Sequence, residues 1–119
     1  MKFKFLGMAL LGFFGNSAAT AADSYCGPTT ISEVLTYNDG SILIFAPWRG
    51  SYTMLCNVQT NWKGVTPNTC FAWFSTVSTA VAQQKPILVF YYDSAGVDCA
   101  TMPNYANSPA PGYVKLAGN

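Results

Sequence analysis

Four cysteines, Cys26, Cys56, Cys70 and Cys99, stand in a chain of 119 residues that contains no histidine. They are separated by 29, 13 and 28 residues. A zinc site needs close ligand pairs such as C-x-x-C, commonly completed by histidine, and neither is present. An even cysteine count in a short exported chain reads instead as two disulfides. Four cysteines allow three connectivities, and spacing does not choose among them. Bridges over a short and a long loop contribute on the order of 3 and 4 kcal/mol. That is large beside a domain stability of roughly 5–15 kcal/mol.

The first residues supply the export reading. Lys2 and Lys4 make a positive start, and the run from Phe5 to Phe14 is almost wholly apolar. Gly15-Asn16-Ser17 breaks it, and small residues follow from Ala18 to Ala22. Ala19-Thr20-Ala21 and Thr20-Ala21-Ala22 both fit the small-x-small cleavage rule, so residues 1–21 are read as a signal peptide cleaved after Ala21 or Ala22. About ten apolar residues make roughly 15 Å of helix, half of what a bilayer core of about 30 Å requires. No small-residue lipobox directly precedes Cys26, which argues against a lipid anchor. Residues 22–119 are expected to form a single disulfide-bonded domain, secreted or periplasmic.

Removing the signal changes the charge from +1 to −1, because Arg49, Lys63, Lys85 and Lys115 then face Asp23, Glu33, Asp39, Asp93 and Asp98. A near-neutral domain has no electrostatic footprint for phosphate backbones, so nucleic acid is not an expected partner. Its surface is built largely from Ser, Thr, Asn, Gln and Tyr, which suits neutral, hydroxyl-rich partners. No cofactor or metal motif is present.

Thr30 to Tyr37 is rich in β-formers, with Glu33 interrupting its apolar face. Asn38-Asp39-Gly40-Ser41 is a hairpin signal, since both central residues can take positive φ. Ile42 to Ala46 is continuously apolar and is expected to be buried on both sides. Pro47-Trp48-Arg49-Gly50-Ser51 makes the next turn. Tyr52, Met54, Cys56 and Val58 alternate with Thr53, Leu55, Asn57 and Gln59, the pattern of a strand with one buried face. Thr66-Pro67-Asn68-Thr69 then opens a helix of about fifteen residues, with Cys70, Phe74, Val77 and Val81 at helical spacing and Lys85-Pro86 at its end. Ile87 to Tyr92 reads as a central strand, Asp93 to Gly112 as irregular, and Tyr113 to Leu116 as a short last strand. Three strands, a helix and two strands is the order of the OB-fold, a five-stranded barrel within a mainly β, α+β class.

The early Cys26, the Cys56 strand leading to Trp62, the helix Phe71-Ala72-Trp73-Phe74, the Lys85-Pro86-Ile87-Leu88-Val89 strand and the late Cys99 carry a resemblance. Together with the signal segment, this layout resembles the small exported B subunits of bacterial AB5-type toxins, the subtilase-cytotoxin and pertussis-like group in particular. The resemblance implies an OB-fold that binds cell-surface sugars, often as a pentamer. It also implies a bridge from the N-terminal segment to the region after the post-helix strand, hence Cys26–Cys99 with Cys56–Cys70. The chain differs from the toxin pattern in lacking a recognisable sialic-acid motif and in carrying Pro103, Pro109 and Pro111 near its end.

Without histidine the commonest general base and the Ser-His and Cys-His systems are absent. Neither S-x-x-K nor G-x-S-x-G occurs. A secreted hydrolase of the glycosidase type needs two carboxylates at set separation. Asp39 belongs to a turn, Asp93 ends a strand and Asp98 adjoins a cysteine, which leaves Glu33 alone. The chain is therefore read as a non-catalytic binding module, with a protein-interaction subunit or inhibitor as the alternative. Sugar C–H faces stack on aromatic rings, and sugar hydroxyls take polar donors. Trp48, Arg49 and Tyr52 at one turn, and Trp62 with Lys63 before the helix, are the candidate ligand contacts. Trp73 and Phe74 are assigned to the core, and at most one of Tyr91 and Tyr92 can face a ligand.

Overall fold

Six strands and one helix order the chain in a computed structural model that describes residues 22–93 and 96–118. The signal-peptide reading of residues 1–21 lies outside the described residues. In chain order the elements are β1 (Ser24–Thr30), β2 (Val34–Thr36), β3 (Ser41–Ala46), β4 (Ser51–Asn57), α1 (Pro67–Gln83), β5 (Pro86–Tyr91) and β6 (Tyr113–Leu116). They form two antiparallel three-stranded sheets, β1-β5-β6 and β2-β3-β4. The fold is thus mainly β with one helix. No ladder closes the two sheets into a barrel among the described residues, and the expected five strands are six.

The extra strand is β1. The first strand is expected from the sequence to begin at Thr30, but chain from Ser24 already pairs with β5, and the ladder shifts register between Cys26 and Thr29 to take Gly27 and Pro28 into that irregularity. Proline lacks an N–H, so a bulge is where a strand tolerates it. Gly27 has φ of 109°, and a Cβ there would sit 2.6 Å from the Ile87 carbonyl oxygen. After three intervening residues the same run of chain pairs with β3 as β2, so one continuous segment serves both sheets. Ile31, 1% exposed, fills the crossing.

The β2–β3 hairpin forms where expected, with one difference. Gly40 takes positive φ and Asp39 does not. The Asp39 carboxylate instead accepts the Ser41 N–H at 3.0 Å, which closes the loop from the side chain. In β4 the expected single buried face is wrong, since every residue from Thr53 to Asn57 is buried. Register shifts between Ile42 and Leu43, so Ile42 faces Cys56 while Leu43 faces Met54. The bulge turns Leu55 and Cys56 both into the core. The other face is covered by the segment 102–111, in which the Tyr105 N–H bonds the Tyr52 carbonyl at 2.8 Å.

Helix α1 starts at Thr66, whose hydroxyl accepts the Thr69 N–H, with Pro67 in the first turn. It ends when Gln84 adopts φ of 54° and returns its N–H to the Ala80 and Val81 carbonyls. Cys70, Val77 and Ala80 are its buried stripe. Phe71 lies outside it, at 58% exposure. The core joins Ile42, Ile44, Leu55, Val77, Ile87, Val89 and Tyr91, with each large apolar side chain contributing on the order of 2 kcal/mol. Cys26–Cys99 ties β1 to the segment after β5, and Cys56–Cys70 ties β4 to α1.

Candidate ligand-binding site

The turn after β3 does not present its side chains freely. The Arg49 Nε–H donates to the Met102 carbonyl at 2.5 Å, so the guanidinium pins the segment that follows Cys99. Trp48 is half-buried and packs against the core. Tyr52 points away from these two: its ring meets Phe45 edge-on at 5.3 Å and Tyr105 at 5.8 Å, and its hydroxyl donates to Glu33. The turn therefore divides, with Trp48 and Arg49 serving the fold and Tyr52 belonging to a surface cluster.

Trp62 occupies a different turn. Trp62 and Val65 exchange both backbone bonds, at 3.0 and 2.9 Å, around Lys63-Gly64. Both central residues have positive φ, 48° for Lys63 and 86° for Gly64. A lysine held in the left-handed region is disfavoured, and such positions concentrate where a side chain is being aimed. Its ammonium lies 4.9 Å from the Trp62 ring centroid and donates to the Ser108 carbonyl at 2.7 Å.

That lysine borders a cleft of about 350 Å³. The turn contributes Lys63, Gly64 and Val65; the start of α1 contributes Thr66, Thr69 and Trp73; Tyr92 and the stretch Ala110-Pro111-Gly112 close the far side. Two aromatic side chains, three hydroxyls (Thr66, Thr69 and Tyr92) and one ammonium belong to its lining, and no carboxylate does. Trp73, assigned to the core for its place on the helix, is half-buried because its ring divides between core and cleft. No periodicity in one element could have shown this, since the cleft exists only where α1, the Lys63 turn and the strand end meet.

Tyr91 and Tyr92 separate as alternation requires. Tyr91 points inward at 0% exposure and Tyr92 outward at 57%. Burial pushes the Tyr91 hydroxyl pKa well above its ordinary value, with the neighbouring Thr53 hydroxyl offsetting part of the rise. Neither hydroxyl has a partner of full hydrogen-bond geometry, and the same holds for buried Trp48 Nε1.

Tyr92 also joins the cleft to a band of rings. Tyr25, Phe90 and Tyr113 stand opposite one another across β1, β5 and β6. Phe90 lies 5.1 Å from Tyr25, stacks on Tyr113 at 4.7 Å and meets Tyr92 edge-on at 5.0 Å. Gly112 makes room for this: a Cβ there would come within 2.7 Å of Tyr92 and 2.8 Å of Phe90 ring atoms. Among the described residues no group of three or more His, Cys, Asp or Glu is arranged to hold a metal ion. No helix among them is long and apolar enough to cross a membrane. Set against known protein families, curated proteins and solved structures, the chain matches none.

Proposed function

We propose that this protein is an exported, non-catalytic glycan-binding module whose sugar site is the cleft between Lys63, Thr66, Thr69, Trp73 and Tyr92. The observation that carries the reading is the lining itself. Rings at Trp73 and Tyr92 offer faces for sugar C–H groups, Thr66 and Thr69 offer hydroxyls, and Lys63 supplies the cleft's one full charge. With no carboxylate in the lining, an acidic sugar is favoured over its neutral counterpart. The continuous β1–β2 segment serving both sheets, with α1 between β4 and β5, supports an OB-like plan and hence the resemblance to toxin B subunits. A ring of copies belongs to the same proposal.

A glycan array probed with wild type, Tyr92→Ala and Trp48→Ala tests it. Binding lost in Tyr92→Ala and kept in Trp48→Ala supports the cleft. Loss only in Trp48→Ala moves the site to the Trp48–Tyr52 turn, and no binding by wild type removes the glycan reading.

A second reading, a subunit or inhibitor docking on an exported protein, draws on α1. Its seventeen residues include no charged side chain, and Phe71 stands out from it into solvent. Size-exclusion chromatography with light scattering, on wild type and Phe71→Ser, separates a self-assembling subunit from a monomer.

A further inference from the structure

A second group of side chains shares no residue with the lining of the cleft. The Glu33 carboxylate accepts the Tyr52 hydroxyl, and the Tyr105 ring lies 5.8 Å from that of Tyr52 at a 37° tilt. Tyr105 and Tyr37 are 45% and 47% exposed. The Glu33 charge, with Tyr105 and Tyr37 nearby, acts on the Tyr52 hydroxyl and raises its pKa. Arg49, three positions from Tyr52, is turned to the Met102 carbonyl, and Lys63 lines the cleft.

The backbone holds these groups in place. The Glu33 carbonyl accepts the Phe45 N–H, the Tyr105 N–H bonds the Tyr52 carbonyl, and Phe45 supports the Tyr52 ring edge-on. Tyr105 has φ of 51°. A bulky aromatic residue pays a conformational penalty there, and structure retains such residues mainly where the side chain is being positioned. Here the result is an exposed ring beside Tyr52 and a carboxylate with no ion-pair partner among the described residues.

We propose that Glu33, Tyr52 and Tyr105, with Tyr37 at their margin, form a surface site for a quaternary ammonium group of the choline class. Ring faces attract a cation through their quadrupole, and the carboxylate adds a full charge. A primary ammonium is a poorer fit. It brings three donors that need acceptors, and one Glu33 oxygen is already occupied by the Tyr52 hydroxyl. A trimethylammonium group makes no such demand and is weakly hydrated.

The test is a titration of the full mature protein with choline chloride at constant ionic strength, read by aromatic-ring NMR shifts. The neutral isostere 3,3-dimethyl-1-butanol is the matched probe. The expected result is saturable binding that shifts Tyr52 and Tyr105, at least about tenfold tighter for choline than for the isostere. Glu33→Gln keeps an oxygen acceptor for the Tyr52 hydroxyl and removes only the charge. It is expected to weaken choline about fivefold, the factor for one exposed charge contact at about 4 Å in water. Tyr92→Ala leaves choline binding unchanged, which separates this site from the glycan cleft. Equal binding of the two probes, shifts that never saturate, or a Glu33→Gln variant that binds as wild type would each overturn the proposal.

Discussion

The Ser108 hydroxyl accepts the Met54 N–H at 2.8 Å, and its one hydrogen is shared between the Tyr105 carbonyl at 2.8 Å and the Met54 carbonyl at 3.2 Å. A side chain thus completes the ladder that β4 would otherwise leave open, and Ser108 is fully buried in doing so. Exposed strand edges template unwanted pairing, so this cover also protects the sheet. Ser108→Ala strands the Met54 groups in a dry site, where an unpaired donor costs about 1–3 kcal/mol. The expected loss is about 2 kcal/mol, or a melting temperature lower by roughly 10 °C. Calorimetry on the variant measures it.

The two disulfides should differ in worth. Cys56–Cys70 spans 14 positions and Cys26–Cys99 spans 73. Loop entropy gives about 3 kcal/mol for the short bridge and about 4 kcal/mol for the long one. Denaturant melts of the paired Cys→Ser variants are expected to rank Cys26→Ser/Cys99→Ser as the less stable. Its loss also frees the segment after β5 from β1.

Two tyrosines are expected to ionise late. The hydrogen bond to Glu33, with burial and the Glu33 charge behind it, raises the Tyr52 pKa, and burial raises that of Tyr91. Each folded value exceeds its unfolded one. The stabilisation is therefore fully present below pH of about 10 and is lost as pH rises through the folded values. Residue-resolved NMR should show both steps trailing above pH of about 10. Glu33→Gln should bring the Tyr52 step down and leave Tyr91 in place.

Asp39 works in the opposite direction. Hydrogen bonds from the Ser41 backbone and side chain lower its pKa, so its contribution is present above the unfolded value of about 4 and fades as pH falls through the folded one. Asp39→Asn keeps an acceptor for the Ser41 N–H. The variant should match wild type at low pH and be slightly less stable at neutral pH, losing the acid-side part of the Tm-against-pH slope, as thermal melts across that range will show.

Two glycines should fail differently. Alanine at Gly27 meets a backbone oxygen at 2.6 Å and forces a left-handed φ on a residue with a Cβ, so a loss above about 2 kcal/mol is expected. Alanine at Gly112 meets only ring atoms, which can shift. Gly112→Ala should therefore retain most stability while moving Tyr92 and weakening the cleft's ligand at least about fivefold, a change of roughly 1 kcal/mol. Paired melts and binding isotherms separate the two.

Local patterns located most of the elements. The continuous runs at Ile42–Ala46 and Ile87–Tyr92 are the middle strands of the two sheets, and Thr66-Pro67 begins α1 because capping is short-range chemistry. The β1 strand was hidden because Gly27-Pro28 has the composition of a break. The β4 face was misread because a bulge at Leu55 shifts period two by one residue. The disulfide pairing was legible only through the layout resemblance.

What the sequence by itself determined is a short disulfide-bonded chain without histidine, with a few continuous strands and one capped helix, because these follow from residue type and near-neighbour spacing. The tertiary structure alone decided that Arg49 is spent on the Met102 carbonyl, that Trp73 and Tyr92 share a cleft, and that Ser108 serves as a strand edge. Each of those depends on residues at least nineteen positions apart meeting in space, and such meetings leave no periodic trace along the chain.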